Sequence, residues 1–238
     1  MNIALIGYGR MGHEIEDVAK KRGHKIRLIV DVDNSSDLNS GNLKEIDAAI
    51  EFSSPESAFR NISVCLVSGV PVVSGTTGWL KDYVSAAELC RKNGTSFIHA
   101  SNFSIGVNLL FNLNSELAKH MRNFSDYKVS IEEIHHTKKL DAPSGTAITL
   151  AEGIMKPHSG YDGWCLEPKK ADGKIPISAI REGNVPGTHT VTWDSEIDTL
   201  SLRHEAKNRK GFAIGAVVAA EFIHTRKGVY TMSDVLGF

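Results

Sequence analysis

The sequence has little of what would mark a secreted, membrane-spanning or nucleic-acid-binding protein. Cysteine is scarce. Cys65, Cys90 and Cys165 are odd in number and widely spaced, which argues against a disulfide framework or a paired-cysteine zinc site and points to a reducing cytoplasm. The Asn-X-Ser/Thr triplets at Asn61, Asn93 and Asn102 are then chance matches. No apolar run approaches the ~20 residues of a membrane span. Asn2-Ile3-Ala4-Leu5-Ile6 has no basic stretch before it and reads as a first strand, not a signal peptide. Excess charge of either sign is missing too. Lys and Arg number 27 against 28 Asp and Glu, so the basic surplus of a dedicated nucleic-acid binder is absent. Internal repeats and low-complexity tracts are also lacking. What remains is an ordinary soluble composition, 41% hydrophobic and 23% charged over 238 residues, enough for one or two domains with a real core. Glycine, at 21 against 7 prolines, suits a turn-rich α/β chain.

The first hundred residues alternate between two periodicities. Ile3-Ala4-Leu5-Ile6 is a short continuous apolar run, as expected of a strand buried on both faces. Met11, Ile15, Val18 and Ala19 then share one helical face, closed by Gly23. Further strands are expected over 26–30, 48–52, 70–73 and 96–100. Helices are expected from Pro55 at a first-turn position and over 80–92. Strand and helix alternating through short loops imply a parallel sheet with helices on both faces. Beyond this the pattern changes. Helices are expected over 105–121 and 144–156, and a half-wet strand over 127–134. A long loop or lid is expected over 157–175, then antiparallel strands over 177–180, 189–193 and 199–203, and an apolar helix over 213–224. The chain is therefore read as α/β: a Rossmann-type parallel-sheet domain (1–104), an inserted α+β domain with a mixed, largely antiparallel sheet (105–208), and a C-terminal segment (209–238) that returns to the first domain.

Gly7-Tyr8-Gly9-Arg10-Met11-Gly12 is a G-x-G-x-x-G turn lying directly after a strand and opening a helix. Gly7 permits the tight turn, Gly9 lets the backbone approach a pyrophosphate, and Gly12 lets the helix sit close to the sheet. Phosphates would meet the amides of the helix N-terminus. Asp31, nineteen residues past Gly12 at a strand end, stands where an acid would hold the ribose hydroxyls of NAD. Gly75-Thr76-Thr77-Gly78 and Ala100-Ser101-Asn102-Phe103-Ser104 follow two further strands and would point at the same ligand edge. Each of these two alone is no more than a loop that caps the next helix.

The densest chemistry lies in Glu133-Ile134-His135-His136-Thr137-Lys138-Lys139-Leu140-Asp141-Ala142-Pro143-Ser144-Gly145-Thr146-Ala147. Two adjacent histidines end a strand, and histidine can trade a proton near neutral pH. Ser144 can cap the following helix, while the Gly145 and Thr146 amides can hold an anion beside the charge of Lys139. The plain alternative is a solvated basic loop before a capped helix. A zinc site is disfavoured because no third His, Cys or carboxylate has ligand spacing. Ser144 sits in no G-x-S-x-G elbow, which disfavours a serine hydrolase.

The His-His-x-x-Lys-x-Asp-Ala-Pro-Ser-Gly-Thr-Ala block at 135–147 resembles that of the dihydrodipicolinate reductase family of the bacterial and plant lysine pathway. The resemblance runs along the whole chain through the Gly-rich turn, Gly75-Thr76-Thr77-Gly78, Asn102-Phe103-Ser104, Arg181-Glu182-Gly183, Gly187-x-His189 and Asp234-Val235-Leu236. It implies NAD(P)H-dependent reduction of a cyclic dicarboxylate in the cytoplasm. It also implies a homotetramer formed through the inserted sheet, with neither metal, nucleic acid nor membrane as partner. By the same resemblance His135 is the acid/base residue and Lys139 a second proton donor. His136, Gly145 and Thr146 would bind substrate. Gly7, Tyr8, Gly9, Arg10, Met11, Gly12, Asp31, Gly75, Thr76, Thr77, Ala100, Ser101, Asn102 and Phe103 would bind the cofactor. Many relatives carry one more residue in the Gly-rich turn, and many place an Arg directly after the strand-end acid. Here Asp31 is followed by Val32 and Asp33, with Lys44 as a candidate cation, which favours NADH while leaving NADPH possible. Two other readings compete. A non-catalytic NAD sensor would have no need for His135 and Lys139 together, and a related amino-acid dehydrogenase should lack the Asp-Ala-Pro-Ser-Gly-Thr block.

Overall fold

The computed structural model describes residues 1–169 and 171–238. In chain order the elements are β1 (Asn2–Ile6), α1 (Arg10–Lys21), β2 (Lys25–Val30), β3 (Ala48–Glu51), α2 (Pro55–Val67), β4 (Val72–Ser74), α3 (Tyr83–Lys92), β5 (Ser96–His99), α4 (Ile105–Met121) and β6 (Lys128–His135). There follow α5 (Gly145–Met155), β7 (Gly163–Leu166), β8 (Lys174–Arg181), β9 (Thr188–Asp194), β10 (Thr199–Glu205), α6 (Lys210–Ile223), β11 (Gly228–Tyr230) and α7 (Met232–Leu236). The chain divides into two compact units, Met1–Ile105 with Arg209–Phe238, and Gly106–Asn208.

The first unit is a six-stranded sheet in the order β11-β5-β4-β3-β1-β2, with every neighbouring pair parallel. Its central strand explains the unbroken apolar run. Ile3 and Leu5 pack with Ile15 and Val18 of α1 and with Ala216 and Val217 of α6. Ala4 and Ile6 point the other way, onto Ile62, Cys65 and Leu66 of α2. Helices therefore cover both faces, as parallel strands require. The close packing needs particular glycines. A Cβ on Gly215 of α6 would lie 1.7 Å from the Phe103 carbonyl oxygen, so no other residue lets that helix reach the loop after β5. The chain runs outward from β1 to β2 and then returns to the other side of β1 as β3. That reversal leaves a crevice at the strand carboxyl ends.

The second unit is a five-stranded mixed sheet in the order β10-β9-β6-β8-β7. The β10·β9 and β9·β6 ladders are antiparallel, whereas β6·β8 and β8·β7 are parallel. The sheet is thus evenly divided and not largely antiparallel. Alternating side chains reveal a half-wet strand but not the direction of its partner, and β8 returns beside β6 only after α5 and β7. The stretch 157–175 is not one long loop. Gly163–Leu166 pairs with β8, although it carries no alternation because all four residues are half-buried. Lys170, within that stretch, lies outside the described residues. On one face Val129, Ile131, Ile177, Val191 and Trp193 pack with Leu110 and Ala118 of α4 and with Leu150, Ala151 and Ile154 of α5. Glu133 and His135 continue that same face of β6 to its carboxyl end.

Among the described residues no helix is long and apolar enough to cross a membrane. Cys65, Cys90 and Cys165 are all free.

Candidate active site

In the first unit a pocket of about 480 Å³ opens at the crevice between β1 and β3. It is lined by Gly7, Tyr8, Gly9, Asp31, Val32, Ser35, Ser53, Ser57 and Arg60, among others. The glycines here are dictated by space. Gly7 has φ +88°, and a Cβ there would lie 2.0 Å from the Phe52 carbonyl oxygen. A Cβ on Gly12 would lie 2.5 Å from the Gly7 carbonyl oxygen. Gly9, by contrast, has open space where its side chain would be, as a pyrophosphate would need. It caps α1 without a side-chain bond, and no acidic residue sits in the first turn of that helix to repel an anion. These residues fit a bound dinucleotide.

The other candidate cofactor residues divide by use. Tyr8 turns its ring back along α1, 4.1 Å from the His13 ring, and its hydroxyl donates to Glu16. Arg10 faces a separate open pocket with His13, Glu14, Asp17, Arg209 and Lys210. Met11 packs against the core, which leaves its backbone as the part able to meet phosphate. Asp31 accepts from the Val32 amide through Oδ1 at 3.0 Å, and its own amide donates to Asn34 Oδ1 at 2.7 Å, which braces the strand end. The cation lining this pocket is Arg60 of α2, not Lys44. A Cβ on Gly75 would lie 2.2 Å from the Phe52 ring. Thr77 and Ser101 are exposed and Ala100 half-buried. Asn102 is buried, its Oδ1 accepting from the Ser104 amide at 2.9 Å. The Phe103 ring belongs to the core, 5.8 Å from Phe52.

Thr76 is committed elsewhere. Its hydroxyl donates to Glu51 at 2.8 Å and accepts from the Ser53 amide at 2.9 Å. Glu51, with no exposed surface, also receives the Ser74 hydroxyl at 2.7 Å, the Ser53 amide at 3.0 Å and the Ser53 hydroxyl. One buried carboxylate thus ties together the loops that follow β3 and β4.

A second buried carboxylate organises the other unit. Glu133 is fully buried, and both of its oxygens accept from the Ser144 amide at 3.0 Å. Arg181 Nη2 donates to Oε1 at 2.9 Å and also grips the Asp141 carbonyl at 2.5 Å. His189 Nε2 is 3.7 Å from Oε2, beyond hydrogen-bond length, and lies instead 3.2 Å from the Ser144 hydroxyl. That hydroxyl accepts from the Ala147 amide at 3.2 Å and so caps α5. Burial alone would raise the Glu133 pKa, but His189, Ser144 and Arg181 together outweigh it and hold the group at about 2.

His135 is the last residue of β6 and is buried, with its Nδ1 3.5 Å from Glu133 Oε2. Burial, helped by His189, Lys139 and Arg181 and opposed by Glu133, pulls its pKa from 6.5 down to about 4. His136 follows the strand end and is half-buried. Lys139 is paired with Asp141 at 2.8 Å. Gly145 is exposed at the head of α5, with open space beside it, and Thr146 is half-buried.

The sequence alone assigned no role to Glu133 and carried Arg181 and His189 only within motifs. The signal for Glu133 was its place two residues before His135, on one strand face. His189 lies opposite Glu133 only through the β6·β9 register. Glu133, His135 and His189 do come within 4.8 Å of one another, a closeness that chain spacing alone did not reveal. The carboxylate is, however, already engaged by a guanidinium and an amide, and a dication would have to compete with the Arg181 charge.

Residues 1–103 match the family model for the dihydrodipicolinate reductase N-terminus, and residues 106–236 that for its C-terminus. The chain belongs to the dihydrodipicolinate reductase family. It is 56% identical over 237 residues to the 4-hydroxy-tetrahydrodipicolinate reductase of Christiangramia forsetii, covering 99% of this chain and 98% of that one. It is 36% identical to the enzyme of the same name from Alkaliphilus metalliredigens, over 96% of this chain and 95% of the relative. A dipicolinate-bound dihydrodipicolinate reductase from Paenisporosarcina sp. TG-14 has the same fold, with TM-score 0.80, 24% identity and 97% coverage of each chain. An amine dehydrogenase from Mycobacterium smegmatis, at TM-score 0.66 and 11% identity, covers 98% of this chain and 95% of its own and shares the fold alone.

Proposed function

We propose that this reductase converts 4-hydroxy-tetrahydrodipicolinate to tetrahydrodipicolinate in the diaminopimelate route to lysine. One observation carries the reading. A chain with both family halves holds a buried histidine and an amide-bearing helix start on a single carboxylate. A bound reduced nicotinamide nucleotide supplies the hydride. Gly7, Gly9 and the start of α1 would hold its pyrophosphate, and Asp31 would take its ribose hydroxyls. Gly75 to Thr77 and Ala100 to Phe103 complete that edge through exposed groups and backbone, since the Thr76 hydroxyl is engaged by Glu51.

The Gly145 and Thr146 amides and the Lys139 ammonium offer positive potential to the substrate carboxylates, with His136 as a further contact. In the net reaction the substrate hydroxyl leaves as water, and one hydride and one proton are consumed. His135 gives its proton to the ring and recovers one from solvent. The resting imidazole is neutral near pH 7. A doubly anionic substrate beside it raises its proton affinity, so the proton is taken up together with the substrate.

NADH serves at least as well as NADPH on this reading, because the 2′-phosphate of NADPH would meet the Asp31 carboxylate. Arg60 in the same pocket offsets part of that repulsion. Family resemblance further supports a cytoplasmic homotetramer, for which light scattering on the purified chain would give the mass. A coupled assay with freshly made substrate, following loss of NADH and NADPH separately, tests the activity. Turnover competitively blocked by dipicolinate is expected. No consumption of either cofactor would refute the assignment and leave a nucleotide-binding sensor.

A further inference from the structure

We infer that Glu133 is a positioning residue for the proton-transfer step: its carboxylate fixes the His135 ring with the proton on Nδ1, so that Nε2 is the atom that trades a proton with substrate. This rests on the reading of His135 given above and adds the residue that directs it.

The geometry has three parts. First, His135 Nδ1 is buried without a hydrogen-bond partner, and the acceptor 3.5 Å away is Glu133 Oε2. A buried ring nitrogen without a partner gains from the acceptor beside it. Second, the opposite edge of the ring is kept clear. Gly187 has φ +152°, and a Cβ there would stand 3.1 Å from His135 Nε2. A side chain at position 187 would crowd that nitrogen. Third, Glu133 cannot drift. Its backbone is strand, and its carboxylate is gripped by Arg181 and by the Ser144 amide. The same amide precedes Gly145 and Thr146, so one side chain sets both the ring and the head of the helix that receives the substrate. The hydrogen-bond partner of one imidazole nitrogen decides what the other nitrogen can do.

Four charged or titratable groups face His135: Glu133 on its own strand, His189 from β9, Arg181 from β8, and Lys139 from the loop beyond the strand. Of these only Glu133 favours the protonated ring. Removing it and removing Arg181 should therefore move the protonation of His135 in opposite directions, which mere loosening of the site would not do.

The test uses the full chain, with His135 assigned by comparison with His135→Gln. Nitrogen-15 spectra of the imidazoles at neutral pH should place the His135 proton on Nδ1. A proton on Nε2 overturns the inference, whether or not the chain proves active, so this outcome is separable from failure of the proposed activity. In the kcat–pH profile, Glu133→Gln should lower kcat by ~10-fold or more and move the His135 limb down by about one unit. Arg181→Gln should move the same limb up, and Glu133→Asp, which keeps the charge, should restore it in part. Loss of rate with no movement of the limb, or movement in the same direction in both variants, would reduce Glu133 to a structural role.

Discussion

Acidification should weaken the fold of this reductase through His135 before any carboxylate responds. Above pH 6.5 the imidazole is neutral in the folded and the unfolded chain alike. Between 6.5 and about 4 only the unfolded chain takes up the proton, because burial and neighbouring cations hold the folded group at about 4. Stability is thus present in full above 6.5 and falls as the pH drops through this window. By pH 4.5 the difference amounts to about 2–3 kcal/mol for this residue. That corresponds to roughly 5–10 °C in melting temperature for a chain of this length. Glu133 then adds a second loss in the same direction. Its folded pKa is about 2 against an ordinary 4.5, so the stability it gives above 4.5 disappears as the pH falls toward 2.

His99 and His204 are also held low by burial and act with the same sign, so the wild-type curve alone does not isolate His135. The informative quantity is the difference from His135→Gln, which has no imidazole to titrate. Urea unfolding of both proteins at pH 7, 5.5 and 4.5 measures it. The gap in stability between wild type and variant should shift by about 2 kcal/mol in favour of the variant on going from pH 7 to pH 4.5. A gap that stays constant would show that the folded imidazole is not held neutral, and the electrostatic reading of the site would fall with it.

Other outcomes follow from particular contacts. Lys139→Ala should lower turnover ~10²–10⁴-fold while leaving cofactor binding intact; near-normal turnover would make the lysine part of a solvated loop. His135→Gln should chiefly reduce kcat and His136→Gln chiefly raise KM, and steady-state kinetics showing the reverse would exchange the two assignments. Glu51→Gln replaces an acceptor-only group with one that also donates, facing the hydroxyls of Ser53, Ser74 and Thr76. It should cost about 2–4 kcal/mol, seen as a melting point lower by roughly 5–15 °C, and an unchanged melting point would contradict the network. The ratio of specificity constants should not favour NADPH, and Arg60→Gln should depress NADPH use more than NADH use. An equal loss for both would instead place the guanidinium against the part that the two cofactors share.

The first unit was legible wherever local pattern and tertiary burial agree. Ile3 to Ile6 announces a strand covered on both faces, and Gly7 to Gly12 announces the turn after it, because each constraint acts within a few residues. β11 gave no such signal. Gly228-Val229-Tyr230 is strand only because it finds the register of Ser96 to Ile98, more than a hundred residues earlier in the chain. β7 was hidden for the same reason. At the site, His135 and Lys139 stood out by chemistry and by resemblance. Glu133 was visible in the text of the sequence but unreadable as a hub, since two of its partners, Arg181 and His189, come from other strands. Position along a motif also says nothing about how a side chain is used. Thr76 and Phe103 occupy positions that the resemblance gives to the cofactor, yet the hydroxyl of one serves Glu51 and the ring of the other serves the core.

The first unit is assembled from both ends of the polypeptide, and this bears on how the chain is made. A ribosome that has delivered residues up to 208 has produced a continuous second unit with its own core. The sheet begun at Asn2, however, still lacks α6 and its last strand, β11. Until residues 210–230 emerge, Ile3, Leu5 and Ile50 have only α1 on a face that α6 also covers, which leaves an adhesive surface for most of synthesis. Loss of the last thirty residues is therefore not a trimming of the tail. It removes Ala213, Ala216, Val217 and Ala220 from beneath the nucleotide-binding sheet, and the expected product is an aggregate, not a shortened enzyme.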